Sequence, residues 1–348
     1  MNSTAVISPA LIAQHNAGYT VERYTPDRKA EWDAFVRAAK NATFLFERDY
    51  MEYHADRFID CSLMIYHGKK LMALLPGNLN TSGYLVSHGG LTYGGLILSK
   101  PVSLLKMMAS FHASLRHLSE LGIARLIYKQ IPGFYCTNSN DDMAFVLFLL
   151  NAKITQRDVS VAINLNSRIP FRKGRKSEIS KARRFGVHLT EEFCFSPFWE
   201  KVLIPRLARR YGVAPVHTVE EMTSLAAKFP ENIKQFSAYF GGQIVAGTTI
   251  YEMPGVAHTQ YIGVSALGKR TGALDYLMNW LIDERYQHKQ YFDFGSCKKS
   301  DRRTLNYGLL NWKEGFGGRC YSHDIYEIAT ENYLKLEHPE LENKSSII

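Results

Sequence analysis

The segment from Lys234 to Gly317 constrains the fold of this chain most, because short apolar runs alternate in it with turn residues. Two turns, Gly241-Gly242 and Met253-Pro254-Gly255, separate runs that have the length and the aromatic and β-branched content of strands. Since the turns are short, consecutive strands run antiparallel. The pattern predicts a three-stranded meander made of Gln235–Phe240, Ile244–Tyr251 and Ala257–Val264.

A cationic stretch with glycines near both ends follows the meander. It reads Gly268-Lys269-Arg270-Thr271-Gly272-Ala273 and precedes apolar residues at helical spacing from Leu274 to Ile282. At the start of a helix, unpaired N–H groups and the positive end of the helix dipole attract anions. The stretch is therefore a candidate turn for holding a pyrophosphate. The same pattern is also typical of a solvent-exposed loop whose charges only add solubility.

A second strand and helix complete the segment. Gln290–Phe294 is a short apolar strand that ends at Asp293-Phe294-Gly295, and Leu305–Lys313 has helical spacing. The glycines of Gly315-Phe316-Gly317-Gly318 are typical of a helix end. The whole segment is thus predicted as three strands, a helix, a strand and a helix.

This order resembles the second half of the GNAT acyltransferase fold, and its residues are similar to the FemAB-like branch of that superfamily. The branch includes nucleotide-linked amino-sugar N-acyltransferases with tandem domains. The resemblance lies in His258, Gln260 and Tyr261, in Gly272-Ala273-Leu274-Asp275, in Asp293-Phe294-Gly295, in Leu305-Asn306-Tyr307-Gly308-Leu309 and in Lys313-Glu314-Gly315-Phe316-Gly317. Upstream, Val86-Ser87-His88-Gly89-Gly90-Leu91-Thr92-Tyr93-Gly94-Gly95 is similar to the signature of the first domain of the family.

The rest of the chain predicts a similar mixture of elements. Predicted helices are Pro26–Ala39, Phe44–Phe58, Val102–Leu121, Asp141–Leu150, Pro197–Tyr211 and Thr218–Lys228, and further strands are Val21–Tyr24, Ser62–Tyr66, Leu71–Leu75, Arg125–Tyr128, Ile154–Leu165 and Val187–Thr190. The fold class is therefore α/β with mixed sheets, in two GNAT-like domains side by side. We expect an acceptor-side domain at residues 1–166, a basic connector helix at 167–186 and an acyl-CoA-binding domain at 187–348.

Composition agrees with an ordinary globular protein. The 348 residues are 46% hydrophobic and 22% charged, and no apolar run is long enough to span a membrane. The five cysteines are scattered and form no C-x-x-C pair, which argues against structural zinc and a disulfide framework. No basic region precedes an apolar core at the N-terminus, so no secretory signal is predicted. These features favour a cytoplasmic protein that uses no metal.

The excess positive charge is concentrated in the connector. From Arg168 to Arg184 there are eight Lys or Arg residues against the single acid Glu178, a local net charge of +7 compared with +9 for the whole chain. Ile179, Ala182 and Phe185 fall three apart and give a helix one apolar face. The segment is either a solvated helix or a contact for a polyphosphate or RNA.

The resemblance implies a site in the second domain. Acyl-CoA would bind along a strand that splays from its neighbour and at the cationic turn, which assigns Ile262, Val264, Gly268, Lys269, Arg270, Thr271, Gly272 and Ala273 to the cosubstrate. Lys313 matches a lysine thought to polarise the reacting carbonyl, and Asp293 or His258 would relay the amine proton. Many GNAT enzymes have a tyrosine that acts as general acid toward the CoA sulfur at the position of Asn311. Tyr307, one helical turn earlier, is the candidate for this role here. Candidate substrate-binding residues are His88, Tyr93, Arg210, His217, Gln260 and Asn306.

The function implied is N-acyl transfer from acyl-CoA to an amine by direct attack. The preferred acceptor is a dTDP-linked amino sugar for surface polysaccharide, with an acetyl or 3-hydroxybutyryl group transferred. An alternative is the Fem-type reaction, in which aminoacyl-tRNA donates to a peptidoglycan precursor. The basic connector suits tRNA, but no coiled-coil insertion of the Fem type is evident. A third possibility is a degenerate pair of domains that acts only as a scaffold.

Overall fold

The computed structural model describes residues 18–298 and 303–337. The N-terminal residues considered for a secretory signal lie outside this part of the chain. The described residues form two compact units, one made of residues up to Arg157 together with those from His323 onward, and one made of Asp158–Ser322. Each unit combines β-sheet with helices, so the mixed α/β class predicted from the sequence is confirmed.

The first unit contains two sets of paired strands. A four-stranded sheet has the order β1-β3-β4-β7, and the second set has the order β15-β8-β6-β5-β2. The strands are β1 (Tyr19–Arg23), β2 (Ile59–Asp60), β3 (Leu63–His67), β4 (Lys70–Leu75), β5 (Asn78–Leu79), β6 (Leu85–Val86), β7 (Ile97–Leu98), β8 (Arg125–Lys129) and the later part of β15 (Arg319–Ala329). The α-helices are α1 (Lys29–Ala38), α2 (Arg48–Met51), α3 (Leu104–Glu120) and α4 (Asp141–Leu149), with 3-10 turns at Pro26–Arg28, Phe44–Phe46, Glu52–Arg57, Gly133–Tyr135 and Thr330–Leu336.

The core of the first unit lies along α3. Met107, Phe111, Leu115 and Leu118 recur at helical spacing and are buried against strand residues such as Ile65. Burying one such side chain contributes roughly 2 kcal/mol, so this apolar stripe is a main reason why α3 forms where it does.

The second unit contains six strands in the order β10-β11-β12-β13-β14-β9. They are β9 (Lys153–Asn164, which begins in the first unit), β10 (His188–Glu192), β11 (Ile233–Phe240), β12 (Gln243–Glu252), β13 (Val256–Val264) and β14 (Tyr291–Ser296). The helices are α5 (Lys173–Arg184), α6 (Ser196–Phe198), α7 (Ile204–Tyr211), α8 (Val219–Lys228), α9 (Ala266–Thr271), α10 (Ala273–Trp280) and α11 (Tyr307–Glu314), with π-helical turns at Trp199–Leu203 and Leu281–Arg285.

The predicted meander is present, since β11, β12 and β13 pair antiparallel in sequence order. Helix α10 covers it with Leu277 and Met278, which are fully buried in the core of this unit. Helix α8 begins with a capping box, because Thr218 accepts a hydrogen bond from the N–H of Glu221 and the Glu221 carboxylate accepts one from the N–H of Thr218.

The predicted cationic turn is itself helical. Ser265 caps the start of α9 by accepting a hydrogen bond from the N–H of Gly268 at 3.0 Å, so Lys269 and Arg270 lie in the last turn of that helix. Gly272 then adopts a left-handed conformation with φ of 74° and separates α9 from α10. Glycine takes this conformation without steric penalty, which explains why the break falls there.

The two units do not coincide with the domain boundaries predicted from the sequence. The second unit begins at Asp158 rather than after residue 166, and residues from His323 onward belong to the first unit. The reason is long-range pairing, because Ile325 of β15 lies opposite Lys129 of β8, and Ile328 is buried in the first core. The predicted connector is present as α5, but it lies within the second unit.

Candidate functional site

Strands β13 and β14 separate partway along their length. They pair in parallel only from Val256 to His258, opposite Tyr291 to Asp293. Beyond this point β13 remains paired with β12 as far as Val264, while β14 pairs with β9. The separation predicted from the family resemblance is therefore present. Among the residues that the structure describes, no strand pairs with the β14-facing edge of β13 from Thr259 onward.

A cleft of about 560 Å³ opens at this separation. Its floor includes Gln260, Ile262 and Val264 from β13 and Phe294 and Ser296 from β14. Five helices complete the walls. They contribute Arg175 and Glu178 of α5, Arg206 and Arg210 of α7, Gly268 and Lys269 of α9, Gly272 and Asp275 at the start of α10, and Asn306, Trp312 and Lys313 at α11. The structure thus brings nine of the predicted site residues together, namely Arg210, Gln260, Ile262, Val264, Gly268, Lys269, Gly272, Asn306 and Lys313.

Lys313 is a buried lysine at the cleft, with only 2% of its surface exposed. Its Nζ donates hydrogen bonds to the carbonyl oxygens of Gly295 at 2.8 Å and Ser296 at 2.7 Å. Burial lowers the pKa of Lys313 to about 8, although the negative charge of Asp293 acts in the opposite direction. The side chain is therefore held in one place and carries a positive charge over most of the neutral range.

His258 and Asp293 form a dyad where the two strands part. Nδ1 of His258 lies 2.8 Å from Oδ2 of Asp293, and the N–H of Gly295 donates to Oδ1 at 2.7 Å. Asp293 is 1% exposed. A carboxylate in this position favours the imidazole tautomer with the proton on Nδ1, which leaves Nε2 as the basic nitrogen. The dyad is linked to Lys313 through Gly295.

Helix α11 places Asn306 and Tyr307 differently. The Asn306 side chain caps the helix by accepting a hydrogen bond from the N–H of Leu309 at 3.1 Å, and Asn306 lines the cleft. Tyr307 is 75% exposed and is not among the residues that line the cleft. Helix geometry explains this difference, since adjacent residues on a helix point about 100° apart.

Sequence reasoning missed an ionic network in the wall of the cleft. Asp275 accepts hydrogen bonds from Nη1 of Arg175 at 2.5 Å and from Nε1 of Trp312 at 2.7 Å. Burial raises the pKa of Asp275, while both hydrogen-bond donors oppose that shift. The network ties α5, α10 and α11 together. One signal for it was present in the sequence, because Asp275 belongs to the motif Gly272-Ala273-Leu274-Asp275 at the helix start.

The start of helix α10 is covered by α5. A Cβ placed on Gly272 would lie 2.4 Å from the carbonyl oxygen of Glu178 and 3.3 Å from its Oε2. A main-chain oxygen and a carboxylate therefore already lie where the pyrophosphate was expected. Thr271 and Ala273 are buried, and the Thr271 hydroxyl donates to the carbonyl oxygens of Leu267 and Gly268. None of these contacts was evident in the sequence.

A second pocket of about 640 Å³ adjoins the cleft and is strongly cationic. We call it the basic pocket. Its charged residues are Arg206, Arg209 and Arg210 of α7 and Lys269 and Arg270 of α9, and no acidic side chain of residues 18–298 and 303–337 is among its lining. Arg206 also donates to the carbonyl oxygen of Val264 at 3.0 Å, which joins α7 to the end of β13.

Three predicted substrate-binding residues lie away from the cleft. His217 is buried in the second unit, and its Nδ1 lies 2.6 Å from the hydroxyl of Tyr261. His88 and Tyr93 are buried in the first unit, where the Tyr93 hydroxyl lies 3.2 Å from Oγ1 of Thr43. Burial lowers the pKa of His88 to about 3, and electrostatic repulsion from His54, Lys129 and Arg48 acts in the same direction.

Two features are absent from the described residues. Among residues 18–298 and 303–337, no group of three or more His, Cys, Asp or Glu side chains is arranged to hold a metal ion. Over the same residues, no helix combines the length and the apolar character needed to cross a bilayer.

Comparison with known proteins shows the fold. No protein-family model matches the chain, and no curated protein matches it significantly. FemX is similar in structure, with a TM-score of 0.63 at 11% identity over 91% of this chain and 99% of that one. L-PGS from Bacillus licheniformis has a TM-score of 0.56 at 15% identity, covering 91% and 97% of the two chains. A Bacteroides thetaiotaomicron protein of unknown function has a TM-score of 0.52 at 9% identity, covering 89% and 99%. The chain therefore has the predicted fold, two GNAT-like domains of mixed α/β structure.

Proposed function

We propose that the second unit transfers an acyl group from an activated thioester or ester to an amine. The observation that carries this proposal is the separation of β13 from β14 with the buried Lys313 beside it. The unpartnered edge of β13 offers main-chain groups that can hold an extended donor, and Lys313 offers a fixed charge. Holding two reactants in line supplies roughly 7–11 kcal/mol of barrier reduction, so such a cleft requires no covalent intermediate.

Lys313, which lines the cleft, and the dyad of His258 and Asp293, which is joined to it through Gly295, divide the reaction between them. The neutral amine attacks the carbonyl carbon, a C–N bond forms, and the charge that develops on the carbonyl oxygen is stabilised by Lys313. The amine proton passes to Nε2 of His258, directly or through water, and Asp293 stabilises the imidazolium that results. The C–S bond of a thioester then breaks. Its thiolate needs little protonation, since a thiol has a pKa of about 8.5.

The first donor in this proposal is acyl-CoA, as the family resemblance implies. Arg206, Arg209, Arg210, Lys269 and Arg270 lie next to the cleft and supply positive charge for its phosphate groups. The acceptor is a nucleotide-linked amino sugar, for which we take a dTDP sugar of lipopolysaccharide or capsule biosynthesis as the first example. A cleft of about 560 Å³ is within the range of small-molecule sites, which supports a small acceptor.

A second candidate donor is aminoacyl-tRNA, with a peptidoglycan precursor as acceptor. One specific observation favours it, because Glu178 lies at the start of α10, where a CoA pyrophosphate was expected. The structural similarity to FemX points in the same direction. Both candidates share the same transfer chemistry and differ in the carrier of the acyl group.

Transfer assays distinguish the donors. Purified protein is mixed with acetyl-CoA or 3-hydroxybutyryl-CoA and a panel of dTDP-, UDP- and GDP-amino sugars, and free CoA is measured with a thiol reagent. We expect CoA release that depends on the acceptor and is insensitive to RNase. Transfer that requires charged tRNA and is abolished by RNase would establish the second candidate. If neither donor supports transfer, the scaffold interpretation is favoured.

A further inference from the structure

We propose that Arg172 and Arg175, at the start of the basic helix α5, position Lys313 for the reaction, an inference that rests on the transfer chemistry proposed above. The sequence left two roles open for this helix, a solvated surface or a contact for a polyanion. In the structure, these two arginines instead hold the residues of α11 that lie on both sides of Lys313. We call Arg172 and Arg175 the α5 clamp.

Arg172 holds the end of α11 at three points. Its Nη1 donates to Oδ1 of Asn311 at 2.6 Å, and its Nη2 donates to Oε2 of Glu314 at 3.1 Å. Its main-chain N–H donates to the carbonyl oxygen of Gly315 at 2.8 Å. Half of the Arg172 side chain is exposed, so its ion pair with Glu314 contributes little by itself. The main-chain bond is therefore the firmer of these links between α5 and α11.

Arg175 is less exposed and acts through Asp275. Its Nη1 donates to Asp275 at 2.5 Å, and Asp275 accepts a second hydrogen bond from Nε1 of Trp312, the residue before Lys313. Only 7% of the Asp275 side chain is exposed, so its hydrogen bonds are shielded from water. The stem of Arg175 also fills the space beside Gly315, where an added Cβ would lie 3.0 Å from its Cγ. Arg175 is therefore the main member of the α5 clamp.

These contacts fix the direction in which Lys313 points. Adjacent residues on a helix point about 100° apart, so holding Trp312 against Asp275 also sets the rotation of α11 at Lys313. The lysine extends toward β14, where its Nζ donates to the carbonyl oxygens of Gly295 and Ser296. A small rotation of α11 would withdraw Nζ from these oxygens and admit water. The α5 clamp thus places the charge that acts on the carbonyl group and supplies none of it.

The pKa of Lys313 reports on this packing. Burial lowers the pKa to about 8, whereas the nearby acidic groups of Asp293, Cys297 and Cys320 all act to raise it. Water admitted beside a displaced α11 would reduce the effect of burial and leave the groups that raise the pKa in place. A loosened clamp must therefore move the pKa of Lys313 upward. A substitution that only lowers the stability of the folded protein leaves this pKa unchanged.

The test compares three variants of the full chain. Arg175→Met keeps the aliphatic stem and removes the link to Asp275, and Trp312→Phe keeps an aromatic ring and removes the donor on Nε1. Arg184→Met is the control, because Arg184 is an exposed arginine at the end of α5 that does not line the cleft. Labelling of Lys313 by acetic anhydride is measured against pH by mass spectrometry of its peptide. Circular dichroism shows which variants are folded, and kcat and KM are measured for acyl transfer.

In Arg175→Met and Trp312→Phe we expect the midpoint of labelling to rise by at least about one pH unit, so that the neutral fraction of Lys313 at pH 8 falls about fivefold. The value of kcat should fall at least about tenfold, with KM for the donor within about twofold. Arg184→Met should match the unchanged protein in every measurement. If Arg175→Met does not fold, Trp312→Phe decides, since its ring still fills the same space.

A midpoint of labelling that stays near pH 8 in the folded variants would overturn the proposal, and so would a shifted midpoint with unchanged kcat. A rise in KM without a fall in kcat would also overturn it, because Arg175 would then bind the donor directly. The labelling measurement does not depend on turnover. A shifted midpoint in a protein that transfers no acyl group would therefore support the α5 clamp and refute the reaction.

Discussion

Lys313 and Gly295 are joined by a hydrogen bond in which Nζ of the lysine donates to the main-chain oxygen of the glycine at 2.8 Å. The N–H of Gly295 in turn donates to Asp293, and Asp293 holds His258. The candidate carbonyl-polarising group and the candidate proton acceptor are therefore coupled through one residue. This coupling makes their separate roles measurable by substitutions that break one link at a time.

The first prediction concerns Lys313→Met, which keeps most of the side-chain volume and removes the charge. We expect kcat to fall by about 100-fold or more, because a fixed positive charge near a developing oxyanion is lost. Stability should also fall by about 2 kcal/mol, since two carbonyl oxygens lose their donor. Kinetic and thermal unfolding measurements on the same sample check both effects.

Lys289→Met is the matched control for that substitution. Lys289 donates to the carbonyl oxygen of Met253 at 2.8 Å and does not line the cleft. It should lose stability to a similar degree with kcat unchanged. If Lys313→Met behaves in the same way, with activity retained and only stability reduced, Lys313 is a structural residue.

The second prediction is a bell-shaped dependence of kcat on pH. On the low-pH side of the curve, activity increases with pH as the acceptor amine loses its proton, because only the neutral amine attacks. It falls again as Lys313 loses its proton, since burial lowers the pKa of this lysine to about 8. Rates measured from about pH 6 to 10 should show both limbs, and the falling limb should be absent in Lys313→Met. A falling limb that persists in this variant would assign it to another group.

The third prediction tests the contact between α5 and α10. Gly272 and Gly242 have the same φ of 74°, but a Cβ on Gly272 would meet Glu178, whereas a Cβ on Gly242 would meet nothing within 4 Å. Gly242→Ala should cost about 1 kcal/mol for the left-handed conformation alone. Gly272→Ala should cost at least about 3 kcal/mol, because the clash is added to that strain. Equal losses in denaturant unfolding would mean that α5 does not lie against Gly272.

The fourth prediction is loss of stability in acid through His88. Burial lowers the pKa of His88 from 6.5 to about 3, so the folded protein holds this side chain neutral while the unfolded chain protonates it. Stability from the neutral form is present above pH 6.5 and is lost as pH falls toward 3. From pH 7 to 5 we expect the free energy of unfolding to decrease by about 2 kcal/mol. This decrease should be absent in His88→Asn. Asparagine is the replacement because His88 has a φ of 66°, which asparagine tolerates. Urea unfolding at both pH values measures the decrease. If the unchanged protein and His88→Asn lose the same free energy of unfolding between pH 7 and 5, His88 is not the group responsible.

Local patterns predicted most of the elements of the second unit. The meander was evident because Gly241-Gly242 and Met253-Pro254-Gly255 separate β-branched and aromatic runs, and α10 and α11 were evident from helical spacing. Helix α9 was missed because glycines near both of its ends are typical of a turn, and only Ser265 marks it as a capped helix. Such caps are short-range signals that a glycine pattern readily obscures.

The site was predictable only where it lies on those local elements. Gln260, Ile262 and Lys313 line the cleft, and they lie on β13 and α11, which were evident from local patterns. Arg206, Glu178 and Arg175 were not predicted, since their approach depends on how α5 and α7 pack against β13, and no local pattern encodes this packing. His88 was expected to face a ligand because it lies in a glycine-rich stretch, but those glycines let the main chain approach closely around a buried side chain. A Cβ on Gly90, for example, would lie 1.9 Å from Nε2 of His54.

The place of β15 in the first unit has a consequence for biosynthesis. The second unit is one continuous segment, Asp158–Ser322. In the first unit, β8 pairs on one side with β6 but obtains its second partner, β15, only when residues around Ile325 have been made. During translation the later unit can therefore complete its fold first, and the earlier one waits with an open strand edge. A released chain that ends just after Ser322 should therefore resist protease across the second unit and be cut in the first. Equal resistance of both would show that β8 does not depend on β15.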